Sequence, residues 1–80
     1  MQARVTVTLK SGVLDPQGQA ILGALKSLGF DAVAGVRQGK IFDLDLADGD
    51  AEAARAGIAA MCDRLLANTV IENYHIELTS

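Results

Sequence analysis

The residues with the most chemical potential lie in the stretch "LKSGVLDPQGQAI", Leu9 to Ile21. Gly12, Pro16 and Gly18, a lysine and an aspartate sit between two apolar segments, as they would in a loop that grips phosphate. A nucleotide-binding P-loop needs G-x-x-x-x-G-K-[ST], with lysine directly after the second glycine. Here Gly12 and Gly18 are six apart and Gln19 follows, so that pattern fails. The run "DLDLADGD", Asp43 to Asp50, suggests calcium. Asp43, Asp45, Asp48 and Asp50 do not keep the order of oxygens, glycine and distant glutamate that an EF-hand loop requires.

The remaining candidates are solitary. His75 has no serine, cysteine or aspartate at a spacing that argues for a dyad or triad. Cys62 has Arg64 nearby, but a small buried cysteine in a helix is the plainer reading. Arg37 and Lys40 in "VRQGK" flank a glycine and form either a solvated turn or a cationic knob for an acidic partner or anionic ligand. No catalytic, cofactor-binding or metal-binding constellation can be assembled from these residues.

The elements that position them follow from pattern. Val5, Val7 and Leu9 alternate with Arg4, Thr6, Thr8 and Lys10, which is a half-buried strand. Asp15-Pro16 starts a helix: the carboxylate caps the free N–H groups of the first turn, and proline lacks only an N–H that would go unused. Ile21, Ala24, Leu25 and Leu28 follow at helical spacing, and Gly29 with Phe30 forms a left-handed stop. Residues 32–47 read as two extended pieces around a tight hairpin turn at Gln38-Gly39. Phe42, Leu44 and Leu46 share one side of the second piece. Asp48-Gly49-Asp50 is a turn and a second cap. A helix over about residues 51–67 puts Ala51, Ala54, Ile58, Met61 and Leu65 on one stripe. The last strand points Tyr74, Ile76 and Leu78 inward and Asn73, His75 and Glu77 outward. The predicted class is α+β: β-α-β-β-α-β, ferredoxin-like, an antiparallel sheet with two helices on one face. One sheet face and two edges remain open to another copy.

Length and composition agree. Eighty residues make one domain, 1–80, with a marginal core. A single cysteine excludes an internal disulfide and suits a reducing cytoplasm. No run approaches a membrane span, and "MQARVTVTLK" lacks the apolar block of a signal peptide. Residues 1–40 carry five Lys/Arg against two Asp/Glu, and residues 41–80 carry two against eight. The overall acidity, a net charge of −3, argues against nucleic-acid binding. The uneven distribution suits a surface that docks on proteins.

Four segments taken together carry a resemblance: "LKSGVLDPQGQAI" (9–21), "LGF" with "VRQGK" (28–30 and 36–40), "CDRLLANTVIENY" (62–74) and the closing "IEL" (76–78). As a set they resemble the PurS family, the small subunit of phosphoribosylformylglycinamidine (FGAM) synthase. "GVLDPQG" and "LLANTVIE" are the specific pieces, and Thr69 stands where many relatives would have proline. The resemblance implies a non-catalytic subunit of a purine-biosynthetic complex that converts FGAR to FGAM with ATP, Mg and glutamine, none of them bound by this chain. It implies a bridge between the PurQ glutaminase and the PurL synthetase that assists ammonia transfer, with self-association as a dimer or tetramer. The expected contact residues are Lys10, Asp15 and Gln17 in the first loop, Arg37, Gly39 and Lys40 in the hairpin, and Asn68, Glu72 and Tyr74 at the exit of the second helix. Three other readings compete. An ACT-like regulatory module binding a small ligand between subunits shares the element order. An acylphosphatase-like enzyme would need an arginine where the first loop offers only Lys10. An RNA-binding module would need paired aromatics on the central strands.

Overall fold

The computed structural model describes residues 1–47 and 49–79. Five elements follow in order: β1 (Gln2–Leu9), α1 (Pro16–Ser27), β2 (Gly39–Asp45), α2 (Ala51–Met61, continued by a π turn, Cys62–Leu66) and β3 (Glu72–Thr79). Strand β1 is central, and both β2 and β3 pair with it antiparallel. Val5 lies opposite Phe42 and Ile76, so the three strands put their apolar residues on one face. Arg4 lies opposite Asp43 and Glu77 on the other face, which is mostly polar but carries the exposed Ile41 opposite Thr6.

Helix α2 covers the apolar face. Ile58 and Cys62 join Ala3, Val5, Val7 and Ala67 in the core, with Phe42, Leu44, Tyr74, Ile76 and Leu78 packed around them. Full burial of a Val or Ile side chain contributes about 1.5–3 kcal/mol, so this is a small core. Arg55 ties α2 to the sheet by donating to the Ile76 carbonyl at 3.2 Å. Asp50 caps α2 by accepting from the Ala53 N–H at 3.3 Å; Asp48 lies outside the described residues.

The class stands as expected, α+β with an antiparallel sheet and two helices, but four details differ. The order is β-α-β-α-β, because residues 31–38 form no strand. Their half-buried side chains, Val33 and Val36, are three apart rather than two, so no face of a strand is built. Gly39 is not a turn: the glycines at positive φ are Gly12 and Gly29. It starts β2, and a Cβ there would come within 2.8 Å of the Val7 carbonyl oxygen. The buried stripe of α2 is Ala54, Ile58, Cys62 and Leu66, one position on from the expected Met61 and Leu65, which are exposed. That stripe keeps i, i+4 spacing along the helix, and the π turn, closed by the Ala67 N–H on the Cys62 carbonyl at 3.0 Å, ends it.

The fourth difference concerns α1, which does not lie on the sheet. Its ends form as expected. Asp15 caps it, Pro16 opens it, and Gly29 N–H on the Lys26 carbonyl with Phe30 N–H on the Leu25 carbonyl closes a Schellman motif. Yet only Gly18 of its residues is buried, and none joins the core. Ile21, Leu28 and Phe30 are exposed. The chain measures 49 × 26 × 14 Å with a radius of gyration of 16.0 Å, against about 12 Å for a compact chain of this length. Its accessible surface is 5619 Å², about 1,000 Å² more than the usual value for its mass. No helix among the described residues is long and apolar enough to cross a membrane.

Candidate functional site

A cleft of about 420 Å³ opens at the end of the sheet where β1 leads into the first loop. Its floor is Val7 and Leu9; its walls are Asp15, Pro16 and Gln17 from the β1–α1 loop, Gln38 to Lys40 from the start of β2, and Glu72 from β3. A smaller cleft of about 310 Å³, lined by Lys10, Thr69, Glu72, Asn73 and Tyr74, shares the Glu72 wall. All three predicted groups therefore meet at one end of the molecule.

Each group is held by its own local chemistry. Asp15 is a buried carboxylate. One oxygen accepts the Gly18 N–H at 2.9 Å, and the other accepts the Gln38 N–H at 2.7 Å. The Gln38 N–H, then that of Gly18, hold its pKa below the ordinary carboxylate value against the opposing effect of burial, and the Arg37 charge adds to this. Arg37 does not project as a free knob. Its guanidinium donates to the carbonyls of Val13 at 2.9 Å and Lys10 at 3.1 Å, fastening the return segment to the first loop. Gln17 remains exposed on the cleft rim.

Lys40 reaches across the cleft, with its Nζ 3.7 Å from a Glu72 oxygen and 6.0 Å from the centre of the Phe42 ring. The other Glu72 oxygen accepts the Asn68 N–H at 2.7 Å. The Asn68 carbonyl accepts from Ile71 and Glu72, and its side chain accepts from Val70, so this asparagine shapes the whole exit turn. Tyr74 donates its phenol hydrogen to Asp63 at 3.3 Å. Exposed Leu14, Leu65 and Val70 lie in the segments framing this end, beside the mixed charges of Lys10, Lys40 and Glu72.

The other reactive residues stay apart. Cys62 is sealed in the core, and burial, with the Asp63 charge, raises its thiol pKa, the wrong direction for a nucleophile. His75 stands on the open face, 3.5 Å from Glu77. Among the described residues, no three His, Cys, Asp or Glu side chains are placed to hold a metal ion.

One feature was not anticipated in the residue patterns. A cleft of about 490 Å³ lies on the open face around Arg4, Asp43 and Glu77. Arg4 pairs with Asp43 at 2.8 Å, and Gln2 donates to Asp45 at 3.1 Å. These are cross-strand pairs of a solvated face. The outward alternation of "RVTVTLK" and "FDLDL" is the signal that places them together.

What this arrangement can do is bind. It offers apolar side chains, both signs of charge and an adjoining exposed helix, and among the described residues it brings no nucleophile–base pair together. Residues 2–80 match the family model of PurS, phosphoribosylformylglycinamidine (FGAM) synthase. The phosphoribosylformylglycinamidine synthase subunit PurS of Synechocystis sp. is 49% identical over 77 residues, covering 96% of this chain and 77% of that protein. The solved structure of Bacillus subtilis PurS superposes with a TM-score of 0.85 at 42% identity, covering 99% of this chain and 98% of that one. A chain in the structure of PurLQS from Thermotoga maritima superposes with a TM-score of 0.86 at 29% identity, covering 95% and 93%. The chain belongs to the PurS family of FGAM synthase subunits.

Proposed function

We propose that this chain is the small, non-catalytic subunit of an FGAM synthase complex. It acts as one domain, residues 1–80, in the cytoplasm. It binds a PurL synthetase and a PurQ glutaminase and also associates with further copies of itself. ATP, Mg and glutamine are used by the partners. The observation that carries this reading is the exposed α1 beside the charged cleft, in a chain whose total surface exceeds the usual value by about 1,000 Å², against the roughly 800 Å² that one partner contributes to a standard interface. The PurLQS structure of Thermotoga maritima, which contains a chain of this shape, supports the same reading.

The chemistry explains why such a subunit is useful. Ammonia released at one active site is protonated in bulk water and loses its nucleophilicity. A protein that holds two active sites in register and excludes water between them keeps the amine reactive. The test is reconstitution. The purified chain alone should turn over none of glutamine, ATP and the ribonucleotide substrate. Adding it to the two large subunits should produce a co-eluting assembly and restore glutamine-dependent synthesis. Turnover by the lone chain, or an unchanged rate when it is omitted, overturns the proposal.

A further inference from the structure

Helix α1 holds its pose with no side chain in the core. Ile21, and Leu28 just past its end, are exposed, and Leu22 and Leu25 are only half-buried. What joins it to the sheet is concentrated at its first turn. Asp15 accepts the Gly18 N–H of α1 with one carboxylate oxygen and the Gln38 N–H with the other. Gln38 is the residue immediately before β2. Gly18 lets the two segments meet: a Cβ there would lie 2.5 Å from the Val36 carbonyl oxygen. The carboxylate thus links the helix, through one residue, to an edge strand.

We propose that Asp15 is a positioning residue that fixes the angle at which α1 leaves the sheet, and so sets the geometry of the surface offered to a second protein chain. An ordinary capping residue needs one acceptor. Here both oxygens are used, and the second reaches 23 residues along the chain. This goes beyond the proposed function and rests on it only for the last clause, that a partner reads the geometry.

Two substitutions separate the cap from the latch. Asp15→Ser keeps one acceptor for Gly18 and has none left for Gln38. Asp15→Asn keeps the shape but turns an N–H₂ toward the Gln38 N–H. Spin labels placed at Ser27→Cys and His75→Cys, in protein diluted with unlabelled chain, read the distance from α1 to the sheet. A single narrow distance in the parent and its loss in both variants, with helical circular dichroism retained, is the expected result. A distance that stays narrow in the variants overturns the proposal.

A second measurement needs no substitution. In the unaltered protein the amide proton resonances of Gly18 and Gln38 should move together with pH along one curve, as one carboxyl titrates between them. Arg37, Lys40 and Glu72 are the other charged groups around that carboxyl, and their amides serve as controls. Independent movement of the two resonances overturns the latch. If the variants loosen α1 yet still join the large subunits with unchanged affinity, the latch stands and the reading of this surface as the interface fails.

Discussion

The Tyr74 phenol donates to the Asp63 carboxylate at 3.3 Å, joining the π turn to β3. Burial, then the charge of Asp63 and this hydrogen bond, raise the Tyr74 pKa above its ordinary 10.0. Tyr74 is the only tyrosine in the sequence, so ultraviolet absorbance of tyrosinate reports it without interference. The midpoint should lie above 10.0 in the folded protein. Asp63→Asn should bring it partway down, because burial remains.

Acid should unfold the protein through identifiable groups. The Gln38 and Gly18 amides depress Asp15, and Arg4 depresses Asp43. A carboxylate with a folded pKa below its unfolded value contributes stability that is full above about pH 4 and is lost as pH falls through the folded value. Urea titrations from pH 7 downward should show that loss. Asp15→Asn should flatten the acid limb while Lys26→Gln, on the exposed side of α1, leaves it unchanged.

Gly39→Ala should destabilise the fold by about 1–3 kcal/mol, the usual cost of forcing volume into a packed site. Its Cβ would meet the Val7 carbonyl oxygen at 2.8 Å and the Thr8 Cγ2 at 3.0 Å. Gly23→Ala, where nothing lies within 4 Å, should be neutral or slightly stabilising. Paired thermal melts of the two variants decide whether close approach is the reason for glycine.

Ile58→Ala should cost about 2–5 kcal/mol, because this side chain is wholly buried at the centre of a core with few members. Leu65→Ala, at a position 83% exposed, should change the stability of the isolated chain little. The same pair tested for assembly should reverse in importance if the end framed by Leu65 docks on a partner.

Leu28→Asp should leave the secondary structure intact, since this residue is 73% exposed at the end of α1. Sedimentation velocity should show a lower association state than the parent. An unchanged sedimentation coefficient would place self-association elsewhere on the chain.

Much of this architecture is legible in residue order. The alternation of β1, the Asp15-Pro16 opening of α1 and its Gly29-Phe30 stop are local features, each decided within a few residues, and they appear where the pattern places them. Gly39 reads as a turn because a glycine needed for close approach looks the same in sequence as one needed for a turn; the difference lies in Val7, which is 32 residues away. Met61 and Cys62 follow Ile58 by three and four residues, so spacing alone suits either to the inner face and only the packing decides for Cys62. The pose of α1 was the least legible. Its apolar spacing shows that a face seeks burial but not against what. The nine candidate residues converge because loops at one end of a three-stranded sheet are neighbours whatever their order. The second bond of Asp15 was not foreseen, since a helix start explains an aspartate by itself.

Gln2 lies opposite Thr79 in the sheet. It also lies opposite Asp45, so β1, the first of the three strands to be made, is the middle one, with one neighbour arriving some forty residues later and the other about seventy. Until residue 79 has cleared the exit tunnel, β1 carries an unmatched row of backbone donors and acceptors. Arg4 on its outer side is the kind of charge that discourages such a strand from pairing with another chain.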